Sequence, residues 1–78
     1  MIVIGDSKNL FEEYYKPLKT LEEAFQLAGK RIEFGAGLTS NEMRYIYIYY
    51  NGKPGNTVFI EGDNPAQAIK DIVRAVRL

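Results

Sequence analysis

The stretch Arg44-Tyr-Ile-Tyr-Ile-Tyr-Tyr50, followed by Asn51-Gly-Lys-Pro-Gly-Asn56 and Thr57-Val-Phe-Ile-Glu61, decides the fold. Two runs rich in β-branched and aromatic residues flank a turn-rich segment, the pattern of a β-hairpin. Side chains alternate along a strand, so Ile46 and Ile48 share one face while Tyr45, Tyr47 and Tyr49 share the other. In the second run Val58 and Ile60 share a face, opposite Thr57, Phe59 and Glu61. Placing both aliphatic sets on one core sets the register: Ile48 opposite Val58, Ile46 opposite Ile60, Tyr47 opposite Phe59 and Tyr49 opposite Thr57. The predicted connection is then a five-residue loop, Asn51 to Gly55. The rival, a tight turn at Asn51-Gly52, mixes the faces unless a bulge intervenes. It also puts Pro54, which has no N–H, inside the ladder.

Upstream, Arg31 to Gly35 alternates at period two, with Ile32 and Phe34 on one side and Arg31 and Glu33 on the other. This predicts a short strand that Gly35-Ala-Gly37 ends, followed by a polar connection over Leu38 to Glu42. Before it, Thr20-Leu-Glu-Glu23 matches a capping box. It opens a helix with Leu21, Ala24, Phe25 and Ala28 as its apolar stripe, Gly29 as its stop, and Lys30 and Arg31 just beyond. Earlier still, Leu10, Phe11, Tyr14 and Leu18 recur at helical spacing, with Asp6 or Ser7 as the cap. Pro17 disfavours the helical conformation at Lys16, so this first helix is predicted to stop near Tyr15. Met1 to Ile4, an apolar run ended by Gly5, is the candidate for an edge strand.

Downstream, Gly62-Asp-Asn-Pro65 starts the last helix: Asp63 or Asn64 caps it, and Pro65 suits its first position. Ile69, Ile72, Val73 and Val76 form the core stripe with Ala68 and Ala75 beside it, and the helix runs essentially to the terminus. The predicted order is β–α–α–β–β–β–α in a single domain over 1–78. Each helix has one apolar stripe and needs one packing surface. The fold class is therefore α+β: a two-layer sandwich with a three- or four-stranded, mainly antiparallel sheet and helices on one face. The tyrosine side is then open; N-terminal helices straddling the sheet would instead make it core. The α–β–β–β–α portion is similar in element order to double-stranded-RNA-binding domains. The basic cluster that this family carries at the start of its last helix is replaced here by Glu61, Gly62, Asp63 and Asn64, so the likeness is one of order and carries no function.

Composition narrows the function classes. The chain has 78 residues, ten acidic and ten basic side chains, no histidine and no cysteine. Zero net charge argues against a protein whose main task is gripping duplex phosphates. Absent histidine and cysteine remove the commonest general base, the commonest zinc ligands and the thiol nucleophile. Glu12-Glu13 and Glu22-Glu23 are sequence neighbours, which do not face each other on a helix, so neither pair converges on a site. Gly35-Ala-Gly37 lacks the pattern of a phosphate loop, and Asp63-Asn64 lacks the spaced oxygens of a calcium loop. No catalytic, cofactor or metal residues are nominated. No apolar run reaches the length of a membrane span, and the expectation is a soluble, cytoplasmic protein without disulfides.

What remains is the tyrosine side of the hairpin. Tyr45, Tyr47, Tyr49 and Phe59, with Arg44 and Arg31 at the rim, are the expected interaction surface, because interfaces favour tyrosine and arginine. The expected function is a small non-enzymatic protein-interaction or regulatory module, whose partner is another protein or a second copy in a homodimer. The alternative is single-stranded nucleic-acid binding. Bases would stack on Tyr45, Tyr47 and Phe59, and phosphates would meet Lys30, Arg31, Arg44 and Lys53; Glu33 and Glu61 on the same face oppose it.

Overall fold

In the computed structural model, which describes residues 1–3 and 8–77, Asn51 and Gly52 take φ of 54° and 79°. Positive φ at both central residues is the hairpin turn that Asn-Gly favours, because its twist matches that of the flanking strands. It joins β3 (Arg44–Tyr50) to β4 (Lys53–Phe59), with Tyr50 opposite Lys53. The predicted five-residue loop is thus replaced by the tight turn. Beyond it, Tyr49 faces Pro54 and Tyr47 faces Thr57, which leaves Gly55 and Asn56 together opposite Ile48. This bulge adds one residue to β4 and returns Val58 to the aliphatic side, opposite Ile46, with Phe59 opposite Tyr45. The predicted faces therefore survive in a register shifted by two residues. Pairs in an antiparallel ladder alternate between bonded and non-bonded. The pair closing a two-residue turn is bonded, so Pro54 belongs to a non-bonded pair and its missing N–H faces the open edge.

β2 (Ile32–Leu38) pairs antiparallel with β3 and runs straight through Gly35 and Gly37, which were expected to end it. The reason lies across the strand. Gly35 is opposite Tyr47 and Gly37 opposite Tyr45. A Cβ on Gly35 would overlap the Tyr47 ring, and one on Gly37 would lie 2.7 Å from the Tyr45 hydroxyl. The rings lie over the bare backbone and supply the contact the glycines cannot. β1 (Ile2–Val3) adds in parallel to the outer edge of β2 at Gly35 and Ala36, giving the order β1-β2-β3-β4.

One helix, α1 (Glu12–Leu27), replaces the two expected before β2; a 3₁₀ turn over Lys8–Phe11 leads into it, and Pro17 sits inside. The expected cap at Asp6 or Ser7 lies outside the described residues. Thr20 caps nothing: its hydroxyl donates to the Lys16 carbonyl at 2.9 Å, within the continuous helix. Phe11, Tyr14, Leu18, Leu21 and Phe25 recur at intervals of three and four straight across the proline, and all five join the core or pack against it. Breaking the helix at Tyr15 would strip Leu18, Leu21 and Phe25 from that stripe. Leu18 is fully buried, worth about 1.5–3 kcal/mol, and Leu21 and Phe25 are partly buried, so together they outweigh the roughly 3 kcal/mol cost of an interior proline. Leu10, expected in the stripe, is exposed. Pro17→Ala restores a bond to the Glu13 carbonyl. The expected gain is about 2 kcal/mol, the ~3 kcal/mol proline cost less up to ~1 kcal/mol regained by the unfolded chain. A rise in the urea midpoint at constant slope checks it; a fall would show that Pro17 is accommodated without cost.

α2 (Pro65–Ala75) is capped by Asn64, whose side chain accepts the Gln67 N–H at 3.2 Å, and Pro65 takes the first position as expected. Ile72 is fully buried and Ala68, Ile69, Ala75 and Val76 pack around it, while Val73 turns out to solvent. The class is α+β, a three-stranded antiparallel sheet extended in parallel by β1, with two helices, and the helix order differs from the expected one. Both helices reach a single core with Ile32, Phe34, Ala36, Ile46, Ile48 and Ile60. Asn56, placed by the bulge, ties the hairpin to the end of α2. Its amide donates to the Ala75 carbonyl at 2.7 Å and its oxygen accepts the Tyr50 hydroxyl at 2.7 Å. Among the described residues, no helix is long and apolar enough to cross a membrane.

Candidate functional site

The aliphatic side chains of β2, β3 and β4 point at the helices, so strand alternation turns Tyr45, Tyr47, Tyr49 and Phe59 to the other side of the sheet. The four rings form one row of contacts. Tyr47 and Tyr49 meet edge to face with centroids 5.0 Å apart, Tyr45 and Tyr47 lie 5.9 Å apart, and Tyr45 and Phe59 lie 6.1 Å apart. The tyrosines are half-buried, Tyr45 and Tyr47 held on one side by the glycines beneath them, and Phe59 at the outer end is 52% exposed. Burial pushes the Tyr47 hydroxyl above the ordinary tyrosine value of 10.0, and neighbouring Tyr49 and Tyr45 push the same way.

The two expected rim arginines part company. Arg31 stands at the turn end of this face: its Nε donates to Glu33 Oε1 at 3.3 Å, and its carbonyl accepts the Asn51 N–H. Arg44 is not on the rim. It pairs opposite Leu38 and points to the helix side, where Nη1 donates to the Leu10 carbonyl at 3.1 Å and Nη2 to the Gly62 carbonyl at 2.8 Å. Its guanidinium lies 5.9 Å from the centre of the Tyr14 ring, within cation–π range. Arg44 is a structural tie between the entry to α1, β3 and the approach to α2. Lys30, expected with the phosphate-binding cations, lines a groove of about 730 Å³ between α1 and β2, along with Tyr15, Lys19, Glu22 and Gln26. In that groove Glu22 accepts the Phe34 N–H at 3.0 Å and Met1 nitrogen at 2.6 Å, capping the part of β2 that β1 does not reach. Among the described residues no three His, Cys, Asp or Glu side chains gather into a metal-ligand group.

Gly35 and Gly37 belong to this face and were not anticipated. The available signal was their period-two spacing, which matches that of Tyr45 and Tyr47 and identifies a strand whose missing side chains are filled from its neighbour.

Two tyrosines make the chain's alkaline behaviour specific. Tyr14 is 1% exposed, and its hydroxyl finds no hydrogen-bond partner among the described residues. Burial raises it above 10.0; Arg44 opposes that shift, while Glu13 and Asp63 add to it. Tyr14→Phe removes an unsatisfied polar atom and keeps the ring, so it is expected to stabilise by about 1 kcal/mol. A loss of that size would mean that the hydroxyl is satisfied in solution. For Tyr14 and Tyr47 together, a folded value above the unfolded one means that the native state holds its protons longer. Their contribution to stability is complete below pH ~10 and is lost as pH rises through the folded values. Denaturation midpoints should hold up to that pH and fall above it, and the fall should be shallower in Tyr14→Phe/Tyr47→Phe.

No family model, no curated protein and no solved structure matches the chain.

Proposed function

We propose that the chain is a small non-enzymatic interaction module that engages a protein surface through the aromatic side of its sheet. The observation that carries this reading is the unbroken ring row Tyr45, Tyr47, Tyr49 and Phe59, whose residues alternate with the buried isoleucines of the core and whose outer ring is exposed. In a two-layer arrangement the row's side of the sheet is the uncovered one. Tyr45 and Tyr47, gripped from below by Gly37 and Gly35, are stiff and lose little freedom on binding, so more of their contact energy survives as affinity. A cytoplasmic setting accords with a chain that carries no cysteine.

Single-stranded nucleic acid stacked on the same rings is the second reading. It draws on the accessible ring faces. It is weakened by Arg44 lying on the helix side, by the pairing of Arg31 with Glu33, and by Lys53 standing opposite Tyr50, whose ring packs against the core on the other side of the sheet.

The test compares the native chain with Phe59→Ala and Tyr47→Ala by light scattering and chemical cross-linking, with circular dichroism to verify the fold. Folded variants that lose an association made by the native chain support the reading. Unchanged mass and cross-linked partners in both overturn it. A salt-dependent shift with mixed single-stranded oligonucleotides would transfer the function to the second reading.

A further inference from the structure

β4 pairs on one side with β3, and its other side carries backbone groups with no strand beside them among the described residues. Which groups these are follows from one bond. The Ile60 N–H bonds inward to the Arg44 carbonyl at 2.9 Å, so alternation turns Val58 inward as well and leaves Thr57 and Phe59 facing out. The outer edge therefore offers four free groups, the N–H and C=O of Thr57 and Phe59, arranged symmetrically about Val58. The earlier half of the same edge is guarded by Lys53, Pro54 and the bulge at Gly55 and Asn56, devices that prevent strand addition. Thr57 to Phe59 has no such guard, and Thr57 and Phe59 are both exposed.

We infer that this edge pairs antiparallel with the same edge of a second copy of the chain, about a two-fold axis at Val58, and so joins two aromatic faces into one surface. The inference rests on the aromatic-side reading and names its partner. Three observations select a second copy. First, the free ladder is only three residues long and symmetric: Thr57 of one copy meets Phe59 of the other twice, forming four backbone bonds. A longer foreign strand would run into Pro54 and the bulge. Second, the two ends of β4 carry opposite charge. Lys53 is at the turn end and Glu61 and Asp63 at the far end, so antiparallel pairing sets each copy's basic end beside the other's acidic end. Parallel pairing would oppose like charges. Third, Val58 of each copy would point toward the helix side of the other, where a groove of about 240 Å³ is lined by Val58, Ile60, Ala68 and Asp71. On the opposite side Phe59 of each copy would pack beside Thr57 and Phe59 of the other, covering the most exposed ring of the row.

The experiment measures solution mass from about 1 µM to 1 mM together with amide exchange of Thr57 and Phe59. The expected result is a dimer at the upper concentrations in which these two amides exchange at least about tenfold more slowly than in the monomer. Thr57→Pro removes an outward N–H that β3 does not use, and should leave a folded monomer. Lys53→Glu should weaken the dimer without affecting the monomer. If Thr57→Pro proves misfolded, amide exchange in the native chain decides alone. A chain that stays monomeric throughout, or a dimer in which Thr57 and Phe59 exchange freely, overturns the edge pairing. A dimer that survives Thr57→Pro but is lost in Tyr47→Ala overturns it while sparing the aromatic reading; a dimer indifferent to both overturns both.

Discussion

Gly55→Ala is expected to cost about 3 kcal/mol, at the upper end of what overpacking a tight site costs. At 0.05–0.15 kcal/mol per residue the whole chain has roughly 4–12 kcal/mol of stability, so this is a large share. The added Cβ would overlap the Tyr50 ring and lie 2.8 Å from the Ile48 carbonyl, which is backbone and cannot swing aside. Moving Tyr50 instead breaks its bond to Asn56, and with it the hold on the Ala75 carbonyl and the Arg77 N–H. The informative control is Gly52→Ala. Gly52 has φ of 79° and open space around it, with nothing nearer than 3.9 Å. There the cost is only the left-handed backbone, about 1–2 kcal/mol. Denaturant midpoints should therefore rank Gly55→Ala well below Gly52→Ala, although conformational freedom alone would rank them the other way. Equal losses would mean that the bulge relaxes easily and that the Tyr50–Asn56 network does not hold α2 to the hairpin.

The same bulge explains how much of the hairpin was legible. The two faces could be read from alternation alone, because side-chain period is a property of the strand itself. The register could not. An uninterrupted ladder from Asn51-Gly52 would have mixed aliphatic and aromatic residues, and a longer loop avoids that most simply. The chain satisfies both demands by inserting one residue where Gly55 lets the backbone approach Tyr50. That solution depends on Asn56 finding the end of α2, a contact across 19 residues that no local pattern displays. The candidate site was legible to the same depth. Tyr45, Tyr47, Tyr49 and Phe59 share a face as alternation requires. Arg44 shares a strand with the tyrosines but faces the helices, and it is adjacent to Tyr45, so alternation excludes it from their face. Its rim assignment treated proximity in sequence as proximity on a surface. The role proposed for Thr57 was not legible, because it rests on a backbone N–H, and a backbone group leaves no mark in a sequence.

Leu18→Ala is expected to remove about 3–4 kcal/mol, within the range for emptying a fully buried leucine site. Leu18 follows Pro17 and has no exposed surface, packed with Phe11, Tyr14, Phe34 and the isoleucines of the sheet in one core. The size of the effect separates two structures. If the helix ended near Tyr15, as Pro17 by itself suggests, Leu18 would lie in a connection and its truncation would cost a few tenths of a kcal/mol. In a helix continuous over Glu12–Leu27 it is the central residue of the stripe. Leu27→Ala at the end of the same helix, where the side chain is 91% exposed, should be close to neutral. The pair thus tests why local propensity lost to packing. Pro17 removes one backbone bond, whereas the spacing Phe11, Tyr14, Leu18, Leu21, Phe25 offers a continuous apolar face to a core that a 78-residue chain can ill spare. Urea midpoints showing equal losses at Leu18 and Leu27 would reverse that ordering and place the break back at the proline.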